Sequence, residues 1–170
     1  MRPLLPLASL LLGLALAPAA FAQPPLHGPA SHPAMSPVAR APLLVVHKSP
    51  TCGCCSGWVE HMRKAGFRVE VHDETDLDAV KRRAGVPAAK GSCHTAEIAG
   101  YFIEGHVPAA DVKRLLAERP RAKGLTAPGM PMGSPGMEMP DGRTPPYAVE
   151  LVRGDGSTTV FARHGGTGGQ

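Results

Sequence analysis

Cys52, Cys54 and Cys55 place three sulfurs on one short segment, Thr51-Cys52-Gly53-Cys54-Cys55-Ser56, and the fourth cysteine, Cys93, stands beside His94. Cys52 and Cys55 have the C-x-x-C spacing, at a point where an apolar run gives way to a helical pattern. A helix N-terminus offers free N–H groups and the positive end of its dipole, both of which favour thiolate. Thiolate is the nucleophile of disulfide exchange and also a soft metal ligand, so Cys52 and Cys55 are the candidate catalytic pair. Cys54 does not belong in a simple dithiol. Adjacent cysteines pair only with backbone strain, and a third thiol would scramble the exchange cycle. Three sulfurs on one turn suit a thiophilic d¹⁰ ion such as Cu(I), with Cys93 as a fourth ligand. Two other readings stay open: a structural disulfide, for which four cysteines allow three pairings, and structural zinc completed by Cys93 or a histidine.

Histidines and methionines extend the soft-ligand inventory. His94 becomes a candidate ligand through its place next to Cys93, and His106 is a weaker one. For His106 and for His61, a capping or hydrogen-bonding role competes with ligation. The segment 128–140 carries Met130, Met132, Met137 and Met139 among prolines and glycines that forbid a helix. Methionine at this density without periodicity points either to thioether ligation of Cu(I) or to a loop that closes over the cysteines. The two can hold together. The repeated Pro-Gly-Met places Met130 and Met137 first among these ligands.

The elements that must carry these residues are readable from periodicity. Leu43–His47 is a short apolar, β-branched strand, and Cys55, Trp58, Val59 and Met62 recur at helical spacing until Gly66. Phe67–Val71 alternates as a second strand, and Asp76 caps a helix over Leu77–Ala84 that ends at Gly85. Residues 94–107 suggest a hairpin turning at Ala99-Gly100 or Glu104-Gly105. Pro108 then opens a helix that stops at Pro120. Residues 121–146 read as a long loop. Tyr147–Val152 and Thr158–Ala162 flank Gly154-Asp155-Gly156 as a hairpin. The expected class is α/β, a thioredoxin-like layer with a long Met-rich loop and a C-terminal β-hairpin. In that fold the loop carrying Cys93 faces the C-x-x-C helix.

The chain has 170 residues, with 18 Lys and Arg against 14 Asp and Glu, and aromatics at only 4%. Gly (20) and Pro (19) together make up nearly a quarter of it. This composition excludes a coiled coil, a multi-pass membrane protein and an aromatic-rich core. The positive residues lie among acids, so no nucleic-acid partner is expected. Residues 1–22 read as a signal peptide, with Arg2, an apolar run and Ala20-Phe21-Ala22 before the cut. The apolar run is shorter than the roughly 20 residues of a membrane span. Residues 23–42 hold six prolines and form a flexible leader bearing His27, His32 and Met35. Residues 43–164 form the domain and 165–170 a tail. The expected location is the periplasm, where thiols can form disulfides.

Ser49-Pro50-Thr51-Cys52-Gly53-Cys54-Cys55, Trp58, His61-Met62, Ser92-Cys93-His94-Thr95, Gly100-Tyr101, Glu104-Gly105-His106-Val107-Pro108 and the segment from Pro128 to Met137 resemble the bacterial copper-resistance proteins called CopG, a family long of unknown function. The likeness runs from about Leu43 to His164 and does not cover the Pro-rich leader. It implies a thioredoxin-like fold, a periplasmic location, several Cu(I) ions held by Cys52, Cys54, Cys55 and Cys93, and Met or His completing the coordination. It also implies copper tolerance, by interconversion of Cu(I) and Cu(II). Expected partners are copper ions, with copper exporters, chaperones or electron donors of the periplasm. The alternatives are a thiol-disulfide oxidoreductase of exported proteins and a passive copper chaperone or sponge.

Overall fold

The computed structural model describes residues 42–166. The expected signal peptide, the leader except Pro42, and residues 167–170 of the expected tail lie outside them. Seven strands form one mixed sheet in the order β2-β1-β3-β4-β5-β6-β7. Strand β1 (Leu43–Lys48) leads into helix α1 (Gly53–Lys64), which returns the chain to β2 (Arg68–Asp73), parallel to β1. Helix α2 (Leu77–Ala84) precedes a 3₁₀ turn at Ala88–Lys90. The antiparallel pair β3 (His94–Ile98) and β4 (Tyr101–Gly105) then turns at Ala99-Gly100, the first of the two expected positions. Helix α3 (Ala109–Glu118) follows. The core order β2-β1-β3-β4, with β3 antiparallel to both its neighbours, is compatible with a thioredoxin-like layer.

Local chemistry explains the ends of these elements. Helix α1 closes with Gly66 at φ +91°, its N–H bonded to the Arg63 carbonyl at 2.9 Å. The Asp76 carboxylate accepts from the Ala79 N–H at 3.0 Å, and Gly85 at φ +78° ends α2. Helix α3 starts after Pro108, and the His61 Nε2 accepts from the Ala109 N–H at 3.0 Å. His61 is therefore a cap.

The stretch read as one loop, 121–146, contains a further strand, β5 (Gly124–Ala127), parallel to β4 and antiparallel to β6 (Tyr147–Val152). Strand β7 (Thr158–His164) closes the sheet against β6. Leu44 and Val46 of β1, Ile103 of β4, Leu125 of β5 and Val149 of β6 pack with Trp58, Val59 and Met62 of α1 and Val112 and Leu115 of α3. Neighbouring residues on a strand point to opposite faces. Thr95 and Glu104 therefore lie on the other face, where Lys81 of α2 meets them. Among the described residues no helix is long and apolar enough to cross a membrane.

Candidate metal centre

The first turn of α1 carries the cysteine segment. Cys52 is the N-cap residue, its side chain caps no backbone N–H, and no acidic residue occupies the first turn. The positive end of the helix is thus left to the sulfurs. Cys52 and Cys55 form a disulfide, one of the pairings left open by the sequence, and Cys54 and Cys93 are free thiols. Cys54 Sγ lies 3.4 Å from Cys52 Sγ. Cys55 is fully buried, and its sulfur faces the Cys93 carbonyl at 3.7 Å.

Cys93 comes from the opposite side, at the entry to β3. The sulfurs of Cys52, Cys54, Cys55 and Cys93 all lie within 4.8 Å of one another. Cys93, His94 and His106 make a second group by the same measure, so Cys93 belongs to both. Cys93 Sγ is 3.0 Å from His106 Nε2 and 3.3 Å from His94 Nδ1. Burial, and then the neighbouring Cys54, push the Cys93 thiol up to about 11. Metal uptake at Cys93 near neutral pH must therefore expel a proton.

The two imidazoles are prepared differently. The ring nitrogen Nδ1 of His106 donates to the Pro135 carbonyl at 2.8 Å, which leaves the Nε2 lone pair facing Cys93. Burial lowers the His106 pKa. His94 is fully buried between Trp58, at 4.5 Å between ring centroids, and His106, at 5.1 Å. Burial, then His106 and Lys81, push its pKa down to about 3, so it is a neutral base. Its Nε2 has no hydrogen-bond partner among the described residues. The ring nitrogen that faces Cys93 is the other one, Nδ1, at 3.3 Å, and it is the one placed to share an ion with that sulfur. Trp58 itself is satisfied, donating from Nε1 to the Val107 carbonyl at 2.8 Å.

The methionine segment reaches this centre through its backbone. Gly136 sits on the first turn of α1. A Cβ there would meet the Cys54 carbonyl at 2.5 Å and the Trp58 nitrogen at 2.6 Å. At the other end Gly129 bridges to Ser92, next to Cys93. Met137 is half-buried beside Gly136, while Met130 is 54% exposed and Met132 48%. The structure thus brings together the four cysteines, His94 and His106, and seats the loop that bears Met130 and Met137 beside them. Glu104 is the residue that sequence reasoning passed over: it carries no exposed surface and reaches both flanks of the Cys93-His94 pair.

Four sulfurs and two imidazoles converging at the helix end of a mixed α/β sheet define an α/β protein with a thiol-rich centre that could hold a metal ion. Residues 90–137 match the family model described as "Protein of unknown function, DUF411". Two solved structures, both of "Copper resistance protein copG" in forms 1 and 2, are 48% and 47% identical to this chain. Each match has a TM-score of 0.69 and covers 73% of this chain and 98% of the other. The chain belongs to the CopG-type family of copper resistance proteins. No curated protein matches it significantly. The fold and the centre support a copper-related function.

Proposed function

We propose that this chain is an exported, periplasmic protein of copper tolerance that holds several Cu(I) ions at Cys52, Cys54, Cys55 and Cys93 under the Met-rich loop. His106 and His94 serve as nitrogen donors, and Met130 and Met137 as thioether donors at the loop. The mutual approach of the four sulfurs within 4.8 Å carries this reading, because no structural disulfide pair needs four sulfurs at one point. The donor set fits the ion: thiolates and thioethers select Cu(I), and a neutral imidazole serves either oxidation state.

The Cys52–Cys55 pair supports a redox step. Two Cu(II) ions each take one electron, from the Cys52 and Cys55 thiolates, giving two Cu(I) ions and the disulfide. Running the cycle again requires a two-electron donor of the dithiol class. Copper exporters or chaperones then take the Cu(I).

Anaerobic Cu(I) titration of the reduced protein, watched by the thiolate-to-Cu(I) ultraviolet band, tests the binding. More than one copper per chain is expected, with a loss in Cys93→Ala. Saturation at one ion or fewer, with no loss in that variant, overturns the reading. Cu(II) added to the reduced protein should appear as bound Cu(I) with matching thiol oxidation, whereas capture without electron transfer would make the protein a passive sponge.

A second reading, thiol-disulfide exchange on exported proteins, is favoured by the same disulfide at the start of α1. Thioredoxin-like insulin reduction by the metal-free protein would put it first.

A further inference from the structure

Among the described residues Glu104 is the one carboxylate with no exposed surface. A buried carboxylate is expensive unless its oxygens are fully met. Here Oε1 accepts from Lys81 Nζ and from the Ser92 backbone N–H, each at 2.6 Å. Oε2 accepts from the Thr95 hydroxyl at 2.6 Å, and Lys81 Nζ also donates to that hydroxyl at 3.1 Å. Ser92 and Thr95 bracket Cys93 and His94. Glu104 and Thr95 are register partners on the α2 face of the sheet, whereas His94 points to the other face, against Trp58. Glu104 thus grips the two flanks of the ligand pair from behind the sheet.

Stability alone does not call for such a device. A buried ion pair is often no more stabilising than apolar residues of the same volume. Its hydrogen-bond geometry does something that apolar packing cannot: it fixes the path of the backbone through Ser92, Cys93, His94 and Thr95. Gly105, next in the chain, extends the same fit, since a Cβ there would run into the Ser92 side chain.

We propose that Glu104, neutralised by Lys81, is the positioning residue of the copper centre. By stapling Ser92 to Thr95 it holds Cys93 Sγ and the His94 ring at the approach that lets them share an ion with Cys52, Cys54 and Cys55. This inference rests on the copper reading above, and its test separates the two.

Two double variants divide hydrogen bonding from packing. Lys81→Met with Glu104→Leu removes the clamp and leaves an apolar pair. Lys81→Met with Glu104→Gln keeps a carbonyl acceptor for the Ser92 N–H and an amide for Thr95. Hydrogen exchange of the metal-free proteins reports the clamp without copper, and chelator competition reports Cu(I) affinity. The apolar variant should exchange faster across Ser92–Thr95 and bind Cu(I) about 10- to 100-fold more weakly, the loss typical when an outer partner of a ligand is removed. The Gln variant should stay within about threefold of the parent by the same comparison. Asp111→Asn, at the other well-buried carboxylate, which pairs with His164 at 2.6 Å, should leave Cu(I) affinity unchanged.

Should the apolar variant not fold, Thr95→Val decides. It deletes one arm and should still quicken exchange at Cys93-His94 and weaken Cu(I) binding several-fold. An apolar variant with parental affinity and exchange, or a Gln variant that falls as far as the apolar one, overturns the proposal. So does a Thr95→Val protein that matches the parent in both measurements. If the parent itself binds no Cu(I), the copper reading fails, and the exchange data alone show whether the clamp exists.

Discussion

Two segments close on the cysteine turn of α1, and they are held in opposite ways. The Ser92–Thr95 segment is fixed by side chains, through a buried carboxylate, an ammonium and a hydroxyl, with His94 and Thr95 fully enclosed. The Pro128–Pro140 segment is fixed mainly by its backbone. The Gly133 N–H donates to the Met137 carbonyl at 2.7 Å, and the Met137 N–H returns a bond to the Ser134 carbonyl at 2.8 Å. The Pro135 carbonyl holds His106, and Gly136 rests on the helix. Its methionines at 130 and 132 face outward. One side is anchored through buried side chains, and the other rests on the centre through backbone contacts at a few points.

The two segments meet at Trp58, which lies under both, its ring against His94 and its backbone under Gly136. Trp58→Ala should lower stability by about 3–5 kcal/mol in denaturant melts and abolish tight Cu(I) binding.

Gly136→Ala should act on the cover alone. The added methyl group meets backbone at φ +83°, so the loop must lift. Cu(I) transfer to an external chelator is expected to quicken at least about tenfold, while the sheet retains its exchange protection. Gly142→Ala is the control, having a similar φ of +71° and open space around it. It should cost about 1–2 kcal/mol for the left-handed backbone alone and leave copper transfer unchanged.

The anchored side should also answer to acid. Burial holds the His94 pKa near 3, against 6.5 when it is unfolded and exposed. Between those values the unfolded chain binds the extra proton, so stability falls as pH drops from about 6.5 toward 3. The slope from one proton is at most about 1.4 kcal/mol per pH unit. His94→Phe should flatten that slope in melts of the metal-free protein; an unchanged slope would assign the acid sensitivity to other groups. The smallest effect is expected at the outer methionines: Met130→Leu and Met132→Leu should shift stability by no more than about 0.5 kcal/mol. Their copper load separates the two: Met130→Leu should lower it and Met132→Leu should not, and an unchanged load in Met130→Leu would remove that thioether from the donor set.

Much of this arrangement could be read from residue order. The periodicity of Cys55, Trp58, Val59 and Met62 placed the buried side of α1, and Asp76 and Gly85 marked both ends of α2. Strand β5 was not legible. Gly124-Leu125-Thr126-Ala127 is short, weak in strand propensity and set among Gly and Pro. It is a strand because β4 and β6 pair with it on both edges, which is tertiary information. Gly124 is required there because Phe102 crosses where its side chain would stand. Glu104 escaped for a related reason. A glutamate on a strand reads as solvent-facing, and only the packing of α2 over the sheet encloses it with Lys81. The convergence of Cys93 on the C-x-x-C turn was legible through the expected fold. The orphaned nitrogen of His94 was not, since it depends on which ring atoms the neighbours leave unmet.

The seating of Gly136 against Gly57 also joins two separate stretches of the chain. All four cysteines precede the loop, and the strands and helix that gather them, β1 to β4 and α1, end before residue 128. A substitution in the Pro128–Pro140 segment therefore leaves untouched every residue of the stretch that gathers the sulfurs.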